Sequence, residues 1–283
     1  MAETSSTRHK RPRKRPLVTL LVERGLFDSE GEAQRWVMAG QVLVAGQRSD
    51  KPGALVACDA LLQVRGRRHY VSRGGYKLAA VLDHFAVVVA DRVALDSGAS
   101  TGGFTDCLVK RGAALVYAVD VGFGQLAGSL RVNPCVRTLE RTNLGDGTLT
   151  TLVPRPTLIT LDLSYLSLTA ALPLAASLLA ARGEVLALFK PLFEVDDPDA
   201  RRTGRVDNPE VLVDALRRVL EAGQRVGLVP QGLTKLALRP RHGVLEFFLY
   251  FTNDPRATPL FYDNAVLAAI VTGAGIGSAE EGL

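Results

Sequence analysis

A chain of 283 residues, 47% hydrophobic and 22% charged, is long enough for one full α/β core and a second small unit, which excludes a short disulfide scaffold and a wholly disordered polymer. Its net charge of +5 is unevenly placed: residues 1–16 hold six of the 34 Lys/Arg and one of the 29 Asp/Glu, so the remainder is balanced. Cys58, Cys107 and Cys135 are scattered and form no Cys-x-x-Cys spacing, which indicates neither a disulfide framework nor a zinc site and reads as a reducing compartment.

In the basic run, Arg11, Arg13, Lys14 and Arg15 are candidate phosphate contacts, and like charges without apolar surface predict a disordered arm over residues 1–16. No apolar leader opens the chain, because the hydrophobic residues after Pro16 are interrupted at Glu23 and Arg24, so a cytoplasmic location is expected. Leu17–Gly25 has a helical apolar face. Ser29-Glu-Gly-Glu32 is a capping-box pattern ahead of a second helix that ends at Gly40. Val42–Val44 and Leu61–Val64 read as strands around turns at Gly46 and Lys51-Pro-Gly53, giving an α-then-β module over residues 17–66.

Leu20–Leu26, Ala39-Gly40, Val42–Val44 and Asp50–Gly53 resemble the S4 RNA-binding domain. Pro16-Leu17-Val18 and Glu30 depart from its pattern, which puts two of the family's phosphate contacts in question. On and after this module Arg35, Lys51, Arg65, Arg67, Arg68 and Arg73 complete the candidate RNA contacts. From Arg65 to Lys77 no acid occurs, across an expected linker at residues 67–72, and that density suits a phosphate-binding rim.

Leu78, Val81, Leu82 and Phe85 lie on one helical face. Short apolar runs then follow at Val93–Asp96, Val116–Asp120, Val136–Leu139, Leu158–Asp162 and Val185–Lys190, each ahead of an expected helix, the pattern of a parallel doubly wound sheet. Strands at Val226–Val229 and Val244–Phe251 are expected to close it as an antiparallel hairpin. The fold class predicted is α/β, a Rossmann-like sheet of the methyltransferase outline over residues 73–253 behind a small α+β S4 domain, with a tail at 254–283 whose Leu260–Ala274 can add a helix. Uncharged Leu163–Ala181 contains Ser164, Ser167, Thr169, Pro173 and Ser177 and reads as a buried helix rather than a membrane span. Arg201, Arg202 and Arg205 surround Gly204 in an expected loop.

Leu95-Asp-Ser-Gly-Ala-Ser-Thr-Gly-Gly-Phe104 sits where a first strand runs into a helix, the nucleotide-binding crevice of such sheets. Gly98 permits a sharp turn, and Gly102 and Gly103 a close approach to a ligand, while no Walker lysine is present. Asp120 ends the next strand, where a carboxylate accepts from the ribose hydroxyls of either NAD or S-adenosylmethionine. The loop lacks Gly-x-Gly-x-x-Gly, and Asp96 can hold an ammonium, which favours the sulfonium cofactor.

Ser72–Leu78, Leu95–Asp106, Val116–Leu126 and Glu140-Arg-Thr-Asn143 resemble the hemolysin A-like (TlyA) family of 2′-O-methyltransferases, in which an S4 domain precedes an FtsJ-like domain. The resemblance runs from about Leu17 to Phe251. It implies S-adenosyl-L-methionine gripped by Asp96, Gly98, Ala99, Ser100, Thr101, Gly102 and Gly103, with Asp120 at the ribose and Asn143 near the adenine. It also implies a Lys-Asp-Lys-Glu tetrad at Lys77, Asp162, Lys190 and Glu246, and ribosomal RNA or its subunits as partner. A ribose hydroxyl must lose its proton to attack the methyl, so Lys190 is the expected base, with Lys77 lowering its pKa, Asp162 orienting it and Glu246 anchoring the pair. Leu192 stands where the family tends to have Gln. The four histidines show no ligand spacing and no metal is expected; an NAD oxidoreductase or a non-catalytic RNA-binding assembly factor are the competing readings. Nothing in the sequence reads as a lytic membrane element, and oligomeric state is left open.

Overall fold

A computed structural model describes residues 13–24, 26–27, 29–66, 69–196, 198–236 and 245–273. It divides between His69 and Tyr70 into two units. The first contains β1 (Lys14–Pro16), α1 (Leu17–Glu23), α2 (Glu30–Met38), β2 (Val42–Val44), β3 (Gln47–Ser49), β4 (Leu55–Ala57) and β5 (Leu62–Val64). β3-β2-β5 form an antiparallel sheet, and β1 pairs with β4. This strand corrects the expectation that the arm is disordered through Pro16. The side chains of Lys14 and Arg15 stay exposed and Arg15 meets Glu23, so their repulsion does not oppose a backbone ladder. Residues 1–12, with Arg11, and also Arg67 and Arg68, lie outside the described residues. Ser29 caps α2 by accepting from Glu32 N at 3.3 Å, as its sequence predicts. Leu17, Leu21, Phe27, Val37 and Val42 make this unit's core.

The second unit contains α3 (Arg73–His84), β6 (Val93–Ser97), α4 (Gly103–Lys110), β7 (Leu115–Asp120), α5 (Gly128–Arg131), β8 (Val136–Glu140), β9 (Leu158–Leu161), α6 (Leu168–Leu178), β10 (Glu184–Phe189), α7 (Pro191–Glu194), α8 (Pro198–Thr203), α9 (Pro209–Arg225), β11 (Val229–Lys235), β12 (Phe247–Thr252) and α10 (Asn264–Thr272). The sheet order is β11-β12-β10-β9-β6-β7-β8. It is parallel except for β12, which runs antiparallel to both neighbours. Alternate strand residues face opposite layers: Ala94, Val116, Leu158 and Leu186 pack with α3 and α4, while Leu95, Tyr117, Ile159 and Val185 pack with α6 and α9. The fold is the expected Rossmann-like methyltransferase sheet.

Four elements differ from expectation. β8 is followed by a 3₁₀ turn at Gly147–Thr151 rather than a helix, because Asp146 accepts from Thr148 N and two glycines flank it. β11 begins three residues late, since α9 runs to Arg225 and Gly227 takes φ +79° before the chain extends. Within Leu163–Ala181 only α6 is helical, with Pro173 inside it, and no helix among the described residues is long and apolar enough to cross a membrane. The loop around Gly204 is partly α8, where Arg202 pairs with Asp199, and Arg205 pairs with Asp207. In the tail, α10 is capped by Asp263 accepting from Val266 N and buries Leu267 and Val271.

Candidate active site

The order of the parallel strands reverses between β6 and β9, which opens a crevice at their carboxyl ends. The loop from β6 to α4 lies there. Gly98 has φ +87°, and a Cβ on it would stand 2.4 Å from the Asp162 carbonyl oxygen at the end of β9. Only glycine lets these two strand ends approach so closely. Ser100 also takes a left-handed conformation, at φ +49°, and thereby donates its N–H to Asp120 Oδ2 at 2.7 Å; Gly122 N donates to Oδ1 at 2.7 Å. Both oxygens of Asp120 are thus aimed, and each keeps acceptor capacity.

Two hollows follow from this loop. The larger, of about 240 Å³, is lined by Ser72, Arg73, Gly74 and Lys77 from the start of α3, by Gly98–Thr101 and Gly103, and by Asp162. The smaller adjoins Asp120 and Ala99 and reaches Gln125, Thr138 and Glu140.

Around the larger hollow stand two lysine–carboxylate pairs. Lys77 Nζ lies 2.5 Å from Glu246 Oε2, and Lys190 Nζ lies 2.5 Å from Asp162 Oδ1. Lys190 also donates to the Leu163 carbonyl at 3.2 Å and Ser164 Oγ at 3.0 Å, so its amine meets acceptors in three directions. Glu246 sits just before β12, its carbonyl accepting from Leu236 N at 2.9 Å. The structure therefore gathers all four tetrad residues, and it partners each lysine with its own carboxylate rather than setting Glu246 against both.

Three cofactor expectations change. Asp96 is fully buried and lines neither hollow: its oxygens accept from Thr105 Oγ1 at 2.6 Å and Thr160 Oγ1 at 3.1 Å, and burial pushes its carboxyl up to about 7. A group so enclosed braces α4 against β9 and cannot reach an ammonium. Gly102, at φ +96°, lines neither hollow and makes room for Leu126 and Leu130, so it serves packing rather than ligand approach, whereas Gly103 lines the larger hollow and also makes room for Ser72 Oγ and the Gly75 backbone. Asn143 lines neither hollow; it accepts from Gly145 N at 2.8 Å and closes a turn. Gly98, Ala99, Ser100, Thr101 and Gly103 do line the larger hollow.

Among the RNA candidates, Arg13, Lys14, Arg15, Arg35, Lys51 and Arg65 are exposed on the first unit, and Arg73 is exposed at the larger hollow in the second. No cluster of metal-binding side chains occurs among the described residues. Sequence reasoning missed Ser164 and Glu140. The signals were a hydroxyl two residues past a strand-end aspartate, and an acid ending β8 as Asp120 ends β7.

An FtsJ-like methyltransferase family model matches residues 70–241, and an S4 domain model matches residues 15–57. The 16S/23S rRNA (cytidine-2′-O)-methyltransferase TlyA of Mycobacterium tuberculosis (strain ATCC 25618 / H37Rv) is 39% identical over 240 residues, covering 84% of this chain and 90% of that protein. Hemolysin A of Brachyspira hyodysenteriae is 33% identical over 204 residues, covering 70% and 85%. A solved structure from Streptococcus thermophilus that carries the hemolysin name superposes with a TM-score of 0.66 at 34% identity, covering 92% of this chain and 95% of that one. With two family models meeting the two units and relatives of this identity matching most of the chain, the chain belongs to the FtsJ-like methyltransferase family, in the hemolysin A-like (TlyA) branch that carries an S4 domain ahead of the catalytic domain.

Proposed function

We propose that this chain is an S-adenosyl-L-methionine-dependent methyltransferase acting on ribose 2′-hydroxyls of ribosomal RNA. The observation that carries the reading is the pair of lysine–carboxylate contacts beside the hollow under the Gly98 loop. The residues present fit the cofactor: Asp120 offers an aimed acceptor for a diol, the adjoining hollow extends past it to Glu140, and no side chain at Gly98 fills the loop. When bound, the cofactor supplies an electrophilic methyl group on a sulfonium.

The chain's own residues do the rest. Lys190 receives the proton of the 2′-hydroxyl. It first sheds one of its own through Ser164, whose exposed hydroxyl opens to solvent. Asp162 and the Leu163 carbonyl orient the amine. Lys77, held by Glu246, faces the same hollow as Asp162 and positions the target oxygen. The basic residues of the first unit supply salt-dependent contacts to RNA phosphate, and an RNA substrate of this kind places the work in the cytoplasm.

Ribosomal RNA incubated with purified protein and methyl-labelled cofactor, then mapped for 2′-O-methyl positions, tests the reading. Label at a ribose of one or a few nucleotides is expected. RNA binding without any transfer would instead favour a non-catalytic assembly factor.

A further inference from the structure

Glu194 lies outside the tetrad, yet its contacts close a ring around Lys190. The first turn of α6 needs a cap, and its own Ser167 does not provide one, since that hydroxyl bonds Thr169 Oγ1 at 2.9 Å. Instead Glu194 Oε1 accepts from Leu168 N at 2.8 Å, across 26 positions of chain. The segment just before Leu168 is the one that holds the amine: Leu163 O and Ser164 Oγ accept hydrogen bonds from Lys190 Nζ, and the chain then runs four residues to Leu168. The other side of the ring is α7, which Lys190 itself precedes and whose first turn is fixed by Phe193 N donating to the Lys190 carbonyl at 3.0 Å.

We infer that Glu194 is a positioning residue for methyl transfer, fixing the 163–168 segment so that the Lys190 amine keeps its orientation. The inference rests on Lys190 being the base. A cap alone could be supplied by a local Ser, Thr or Asp at far lower cost, and a carboxyl brought from another element and partly desolvated requires a further gain. Burial pushes this carboxyl up to about 7, against the lowering effects of the Leu168 N–H bond and the Arg218 guanidinium.

The test compares Glu194→Ala and Glu194→Gln in the full-length protein, by methyl transfer to ribosomal RNA and by amide hydrogen exchange. A misplaced amine is expected to lower kcat by about 10- to 100-fold with KM for both substrates within about threefold. Exchange at residues 163–168 should quicken in Glu194→Ala, and Glu194→Gln, which keeps the acceptor, should recover most of both effects. Wild-type kcat in Glu194→Ala overturns the inference, as does a loss without faster exchange, or a Gln variant as impaired as Ala. Should Glu194→Ala fail to fold, Glu194→Asp, which withdraws the carboxyl by one methylene, carries the same expectation; failure of both to fold would make Glu194 a stability residue and end the proposal. Wild-type turnover by Lys190→Ala would remove the base assignment and this inference together, whereas an inactive Lys190→Ala beside an unimpaired Glu194→Ala removes the inference alone.

Discussion

Strand β10 carries an ion pair at each end, and the two pairs have different uses. At its start Glu184 meets Arg92, with side-chain exposures of 22% and 18%; at its finish Lys190 meets Asp162, with 19% and 25%. Burial does not separate them. Access to the crevice does: Arg92 also bonds Thr157 through its side chain and carbonyl and the Val88 carbonyl, Glu184 takes the Tyr250 hydroxyl as well, and none of these residues lines either hollow. Asp162, by contrast, lines the hollow of about 240 Å³. A half-buried ion pair thus reads as a staple where neither partner faces a hollow, and as a candidate for chemistry where one partner lines room for a substrate.

The largest expected effect separates the two ends by activity. Lys190→Ala should lower kcat by about 10³-fold or more with cofactor affinity by calorimetry within a few-fold, and unaltered turnover would unseat it as the base. Next, Arg92→Ala should leave kcat near wild type at a permissive temperature yet destabilise the protein by about 3 kcal/mol, because Glu184 is left half-buried without its charge partner. Denaturant melts measure this, and an intact melting profile would show that the cluster is no staple. Gly98→Ala should weaken cofactor binding more than about 10-fold through a strained φ and the contact with Asp162 O, without moving the melt of the Arg92 cluster.

The smallest effect is on pH dependence. Asp96 stays protonated to about 7 in the folded chain, against a model-compound value of 3.8, so between these values the folded state binds more protons than the unfolded one. The stability contributed by the neutral carboxyl is therefore full below about 4 and lost as pH rises through about 7. Asp96→Asn, which cannot ionise, should gain stability relative to wild type across that window. A constant difference from pH 4 to 8 would show that burial does not govern this group.

Much of this was legible because parallel strands end where chemistry happens. Asp120, Asp162 and Lys190 each follow an apolar run, and a charge at such a place reads as a crevice group from sequence alone. Asp96 deceived for the same reason: it too ends an apolar run, but Thr105 and Thr160, distant in sequence from one another, turn it inward. Gly102 looks like a ligand-approach glycine, and which neighbour fills the space beside a glycine depends on packing, here Leu126 and Leu130. The pairing of each lysine with one acid was equally hidden, since it depends on where β12 enters the sheet.

That entry has a consequence in time. Glu246 arrives on an antiparallel strand inserted between β10 and β11, the last strand of the sheet to be synthesised. A nascent chain holds its nucleotide crevice and both lysines well before it holds the acid that steadies Lys77. The four side chains at the crevice are therefore complete only once the final sheet strand has joined its neighbours.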